Sequence, residues 1–207
     1  MPEKAYQNLL EEGMDRGLVW RGRDDRPQGD AVESSGWPVL DECIGGGWPK
    51  GALSELLSRH RLGLSLLLPG LARLSREGRW LGWVAPPHLP FAPGLVQAGV
   101  ALDRLLLVRE VDARERLWAA EQLLKSGRCS MVLLWPQTLR DPQIRRLQLA
   151  AEQGDCIGVL FRPLRVAAQP SPAALRLRLL PSPLGMDVEV LKRRHGWGGR
   201  HCTVRVA

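Results

Sequence analysis

From Trp37 onward, apolar residues fall into short runs parted by glycine, proline and charged breaks. "WPVLDECIGGGWPKG" predicts a short helix that stops at a triple glycine, where positive φ carries no steric penalty. "ALSELL" (52–57), "WLGWVAP" (80–86), "LLLVRE" (105–110), "SMVLLW" (130–135) and "IGVLFRP" (157–163) read as strands with almost no polar alternation. Helical patterns separate them. "LGLSLLLPGLARLSREGR" (62–79) is one, although Pro69 is expected to end or kink it unless it lies in the first turn. "PHLPFAPGLVQAG" (87–99) is a loop leading into a short helix. "DARERLWAAEQLLKSG" (112–127) places Leu117, Ala120, Leu123 and Leu124 on one face and stops at Gly127. "DPQIRRLQLAAEQG" (141–154) has Asp141 as N-cap, Pro142 at the first helical position and a closing glycine.

Apolar strands alternating with helices predict a parallel sheet of about five strands covered on both faces. The pattern then changes. "ALRLRLLPS" (174–182), "MDVEVLKRRHG" (186–196) and "HCTVRVA" (201–207) alternate at period two, as antiparallel strands with one wet face do. The chain thus divides into a peripheral arm over residues 1–35, an α/β core over 36–165 and a β segment over 166–207. Within the arm, "QNLLEE" is expected to form a helical turn.

The charge sharpens that division. The 207-residue chain has a net charge of +7, and all of it lies after residue 161, where nine Lys/Arg face only Asp187 and Glu189. Such asymmetry points to an acidic partner for the C-terminal part or to a solvated arginine-rich face. The N-terminus is acidic and polar, unlike a secretory signal, and no apolar run approaches a membrane span. Cys43, Cys129, Cys156 and Cys202 lie far apart and read as reduced thiols of a cytoplasmic protein. The histidines, His60, His88, His195 and His201, have no metal-site spacing. His88 with Ser58 or Ser65 lacks the G-x-S-x-G elbow of a hydrolase.

The order of glycine-rich lead-in, strand, loop, helix and strand in "GGGWPKGALSELLSRHRLGLSLLL" resembles the RecA-like ATPase core, and the resemblance covers roughly residues 36–165. It implies a RecA-like parallel sheet with helices on both faces, followed here by an antiparallel β extension. It also locates the positions that would hold ATP. The first and second phosphate-loop glycines fall on Ser58 and Gly63, the phosphate-binding lysine on Leu64 and the Mg²⁺-binding hydroxyl on Ser65. The catalytic glutamate falls near Pro87 and the Walker B aspartate on Trp135. Phosphate loops use a lysine against β/γ charge and an acidic side chain in the Mg²⁺ shell. Leu64 and Trp135 offer neither, so the expectation is a degenerate site, no ATP hydrolysis, no cofactor and no metal.

Two families resemble this emptied scaffold. "GGGWPKGALSELL", "LARLSREGRWLGWVAPPHLPFAPGL", "RERLWAAEQLLKSGRC" and "VEVLKRR" are similar to the ImuA family. That resemblance implies an adaptor in SOS-induced, error-prone translesion DNA synthesis, with ImuB and, through it, a C-family error-prone DNA polymerase as partners. RecA is a further candidate partner, and DNA contact is expected to be indirect. "RRLQLAAEQGDCIGVLFRP" resembles both that family and the SulA-type cell-division inhibitors, which act on FtsZ and form the alternative. Eight tryptophans supply candidate contact anchors. Trp83, Trp118 and Trp135 are expected in the core. Trp48 and Trp197, in glycine loops, join Lys192, Arg193, Arg194, Arg200 and Arg205 as candidates for contact with a partner protein or with DNA.

Overall fold

The computed structural model describes residues 31–60, 62–109, 112–194, 196 and 198–206. Residues 1–30, with the turn expected at "QNLLEE", lie outside the described residues, as do Arg61, His195 and Trp197. A small antiparallel pair, β1 (Val32–Glu33) and β2 (Trp48–Pro49), brackets α1 (Pro38–Ile44). The main body follows as β3 (Ala52–Ser58), α2 (Leu64–Leu74), β4 (Trp80–Val84), α3 (Ala92–Gln97), β5 (Leu105–Val108), α4 (Ala113–Lys125), β6 (Cys129–Leu134), α5 (Asp141–Gln153) and β7 (Ile157–Pro163). Three strands close the chain: β8 (Leu175–Ser182), β9 (Gly185–Lys192) and β10 (His201–Val204).

These form one eight-stranded sheet in the order β10-β9-β8-β3-β7-β6-β4-β5. Every residue of β3 and β6 is buried, because helices cover both faces of the parallel part. On one face α1, α2 and α3 bring Leu40, Leu67, Leu71 and Leu95 onto Leu56, Leu81, Leu133 and Val159. On the other, α4 and α5 bring Leu124, Ile144 and Leu147 onto Leu53, Val132 and Leu160. The fold is therefore α/β, with antiparallel strands at its C-terminal end.

Three expectations change. First, α2 runs through Pro69 rather than ending there. Pro69 has no N–H for the Ser65 carbonyl. The indole N–H of Trp37 donates to the neighbouring Leu66 carbonyl at 3.2 Å, so this stretch of helix is tied to the α1 segment. Gly36, at φ 84°, packs so closely on Pro69 that a Cβ there would sit 2.4 Å from the proline ring. Second, the N-cap of α5 is Arg140 and Asp141 is the first helical residue. The Gln143 side chain reaches back to accept the Arg140 backbone N–H at 2.8 Å, so the helix starts one residue earlier than the Asp-Pro pair predicts. Third, β8 pairs in parallel with β3, from Ser54↔Leu175 to Leu57↔Arg178, and antiparallel pairing starts only on its other side, with β9 and then β10. The alternation in "LRLRL" does not mark a wet face at its start, because Arg176 is itself buried.

Candidate functional site

The loop from Ser58 to Gly63 joins β3 to α2, where a phosphate loop would lie. Ser58 is buried and its hydroxyl points along the loop to the Leu62 carbonyl, 3.4 Å away. Arg59 and His60 are exposed. Gly63 adopts φ 119° as the N-cap of α2, a conformation that favours glycine. A Cβ on Gly63 would lie 2.5 Å from Leu179 Cδ1 and 3.2 Å from Leu56 Cδ1, so leucines from β8 and β3 fill the space beneath the loop. Leu64 is half-buried and packs on the same core, and Ser65 follows it in the first turn.

The Walker B position is filled as well. Trp135 stacks on Phe161 with ring centroids 4.4 Å apart and planes 3° from parallel, and it tilts against Trp83 at 5.8 Å. All three rings are buried. Hard cations require oxygen ligands, and two indoles and a phenyl ring supply none. Among the described residues no group of three or more His, Cys, Asp or Glu is placed to hold a metal ion.

At the same end of the parallel strands, β4 is followed by Ala85, a non-glycine residue at φ 51°. The loop that follows carries Leu89 and Phe91, which are 65% and 74% exposed, and Val96 on α3 is also exposed. The Phe91 ring lies over Gly94, where a Cβ would come within 3.1 Å of it. Leu95 and Val100 anchor α3 in the core. The Ala101 backbone N–H donates to Ser75 Oγ at 3.0 Å, and Arg76 donates to the Gly99 carbonyl at 3.0 Å, which fixes the segment to the end of α2. Large apolar side chains held out to solvent on a supported segment make a surface suited to a protein partner.

The contact candidates from the sequence are dispersed. Trp48 is fully buried in the core and presents no contact surface. Its neighbouring glycines permit close backbone approach instead: a Cβ on Gly47 would lie 2.3 Å from the Glu33 carbonyl oxygen. Trp118 is the opposite case, expected in the core but 61% exposed on the outer side of α4. Trp83 and Trp135 are in the core. Lys192 Nζ donates to the Ser171 carbonyl at 2.8 Å, and burial there lowers its pKa. Arg194 pairs with Glu152 at 3.2 Å, and Arg200 donates to the Glu42 carbonyl at 3.0 Å. The Arg193 guanidinium lies against Gly45 and Gly196. Arg205 is exposed. Much of the tail's positive charge is therefore engaged within the protein.

Glu55, outside the candidates named from the sequence, forms a further buried cluster. This residue is fully buried in the middle of β3, where it accepts from Arg162 at 2.7 Å, from Arg176 Nε at 2.7 Å and from Ser171 Oγ at 2.8 Å. Arg176 also donates to the Val166 and Gln169 carbonyls. The cluster thus ties β8 and the β7–β8 connection to the central strand. A lone glutamate within an apolar strand run was the available signal, since a buried carboxylate requires a partner.

The profile of the family described as Cell division inhibitor SulA matches residues 51–158, from β3 to the start of β7. The chain belongs to the SulA family. It is 36% identical over 115 residues to the cell division inhibitor SulA of Photorhabdus laumondii, covering 56% of this chain and 65% of that protein. It is 39% identical over 112 residues to the SulA of Edwardsiella piscicida, covering 52% of this chain and 67% of that protein. The chain thus spans about two thirds of the length of these relatives. A crystal structure of the RadB recombinase superposes with a TM-score of 0.68 at 19% identity, over 85% of this chain and 96% of that one, which establishes a RecA-like fold. Membership in the SulA family corrects the translesion-synthesis reading. ImuB, a C-family polymerase and RecA are withdrawn as partners, because the matched relatives are cell division inhibitors. The SulA match includes the Leu89–Phe91 loop and ends before β8, so the basic strands lie outside it.

Proposed function

We propose that this SulA-family protein inhibits cell division by binding FtsZ in the cytoplasm, and that it does so as a non-catalytic RecA-like scaffold. The exposed Leu89–Phe91 loop carries the proposal. It is an apolar, braced surface within the family-matched region, at the same end of the parallel strands as the leucine-packed loop between β3 and α2. Interface energy concentrates in a few large apolar side chains, and Phe91 is the outstanding one at this end. Loss of the lysine and aspartate positions to Leu64 and Trp135 supports a mechanism of contact without turnover. No described helix is long and apolar enough to cross a membrane, in keeping with a cytoplasmic partner.

Overexpression in dividing cells tests the proposal. Filamentous cells are expected, with normal division restored by Phe91→Ser at an equal level of folded protein. Normal division at high levels of the unmodified protein contradicts it. Filter binding with labelled ATP and Mg²⁺ tests the non-catalytic part: no retention is expected, and micromolar affinity with turnover contradicts it.

A further inference from the structure

We propose that the Pro136–Leu139 loop, between β6 and α5, docks an extended acidic peptide segment whose carboxylates meet arginines on both sides of the loop. The loop divides two cavities. One, of about 440 Å³, lies between it and the first turns of α4 and is lined by Arg116, Arg140, Gln143, Leu117 and Leu134. The other, of about 230 Å³, lies toward the β7–β8 connection and is lined by Arg162, Arg165, Val166 and Gln169. Pro136, Gln137, Thr138 and Leu139 border both. Among the described residues no carboxylate lines either cavity, and of the lining arginines Arg162 is already paired with Glu55.

Arginine with glutamine and threonine donors above a leucine and proline floor matches carboxylate side chains flanking an aliphatic one. The division into two cavities favours a chain over a small anion, since an extended peptide can cross the loop and reach both sets of arginines. Among the described residues no aromatic ring lines either cavity, so these walls offer none of the stacking that holds single-stranded nucleic acid. This site goes beyond the proposal for FtsZ, because a chain without any effect on FtsZ would still carry it.

The test is a titration of the ¹⁵N-labelled full chain with the acetylated, amidated peptide Glu-Leu-Asp-Leu-Glu at low salt. Amide shifts are expected to centre on Gln137, Thr138 and the Ala113–Leu117 turn, and to leave Leu89 and Phe91 unmoved. Affinity is expected to fall about tenfold for the uncharged Gln-Leu-Asn-Leu-Gln peptide and about threefold for each of Arg140→Gln and Arg165→Gln. The uncharged peptide tests the unmodified protein, so the outcome does not depend on how a variant folds. Equal binding of the two peptides, or shifts centred elsewhere, overturns the proposal. Succinate binding as tightly as the peptide overturns it in favour of a small-anion site, and tighter binding of oligothymidine overturns it in favour of nucleic acid.

Discussion

The two faces of β3 handle charge in opposite ways. Toward α2, the face that bears the catalytic groups of an ATPase, charge has been replaced by bulk: Leu64, Leu179 and the Trp83–Trp135–Phe161 stack occupy the site. Toward α5, the same strand keeps a fully buried carboxylate, Glu55, clasped by two guanidiniums. The difference shows where this fold retains a buried charge and where it does not. A phosphate loop needs charge only when phosphate is present, and an empty one would leave it uncompensated. The Glu55 cluster is always complete, and it attaches β8, a strand outside the SulA match, to the family core.

The largest effect should come from breaking the cluster. Glu55→Ala leaves Arg162 and Arg176 buried without their carboxylate and should lower unfolding free energy by about 3–5 kcal/mol in urea titrations. Replacing all three ionic residues with well-packed apolar side chains should come close to neutral, which separates the worth of the cluster from the penalty of breaking it. On the other face, Leu179→Ala should cost about 2–4 kcal/mol, because the space under Gly63 opens without a group to refill it. If Leu179→Ala is harmless, the leucines are not what fills the loop.

The contrast was only partly legible in the sequence. Largely apolar runs disclosed β3, β6 and β7, and the identities of Leu64 and Trp135 marked positions where an ATPase carries charge. Periodicity could not show that Trp135 stacks on Phe161, nor that Glu55 meets Arg176, since both depend on pairing between distant strands. Arg176 reads as one polar step of a half-wet strand, yet its neighbours in space make it a core residue. Trp48 and Trp118 fail for opposite reasons. Glycines beside Trp48 allow tight packing rather than exposure, and Trp118 lies off the face that buries Ala120 and Leu124. The exposed Leu89 and Phe91 sit in a proline-rich loop with no periodicity at all.

Smaller effects follow from the thiols. Burial raises the pKa of Cys129 and Cys156, and burial with the nearby Cys43 pushes Cys202 up to about 12. Raised thiol values favour the protonated folded state. Stability from this source is complete below the ordinary value of 9.0 and declines as pH rises toward the folded values, because the unfolded chain ionises first. Thermal melts should therefore fall progressively above about pH 9. Cys202→Ser should flatten that decline, and an unchanged slope would remove the thiol from the account. Smallest of all in stability is Phe91→Ser, which should shift unfolding by no more than about 0.5 kcal/mol because the ring is mostly exposed.

That variant also supplies the most direct test of the central claim, that this scaffold acts by contact and not by nucleotide chemistry. FtsZ assembly with GTP, followed by light scattering, is measured with increasing amounts of the protein in the absence of ATP. Near-stoichiometric suppression is predicted, with at least about tenfold more Phe91→Ser needed for the same effect. Assembly that proceeds unchanged in excess protein, or suppression that appears only when ATP is added, contradicts the account.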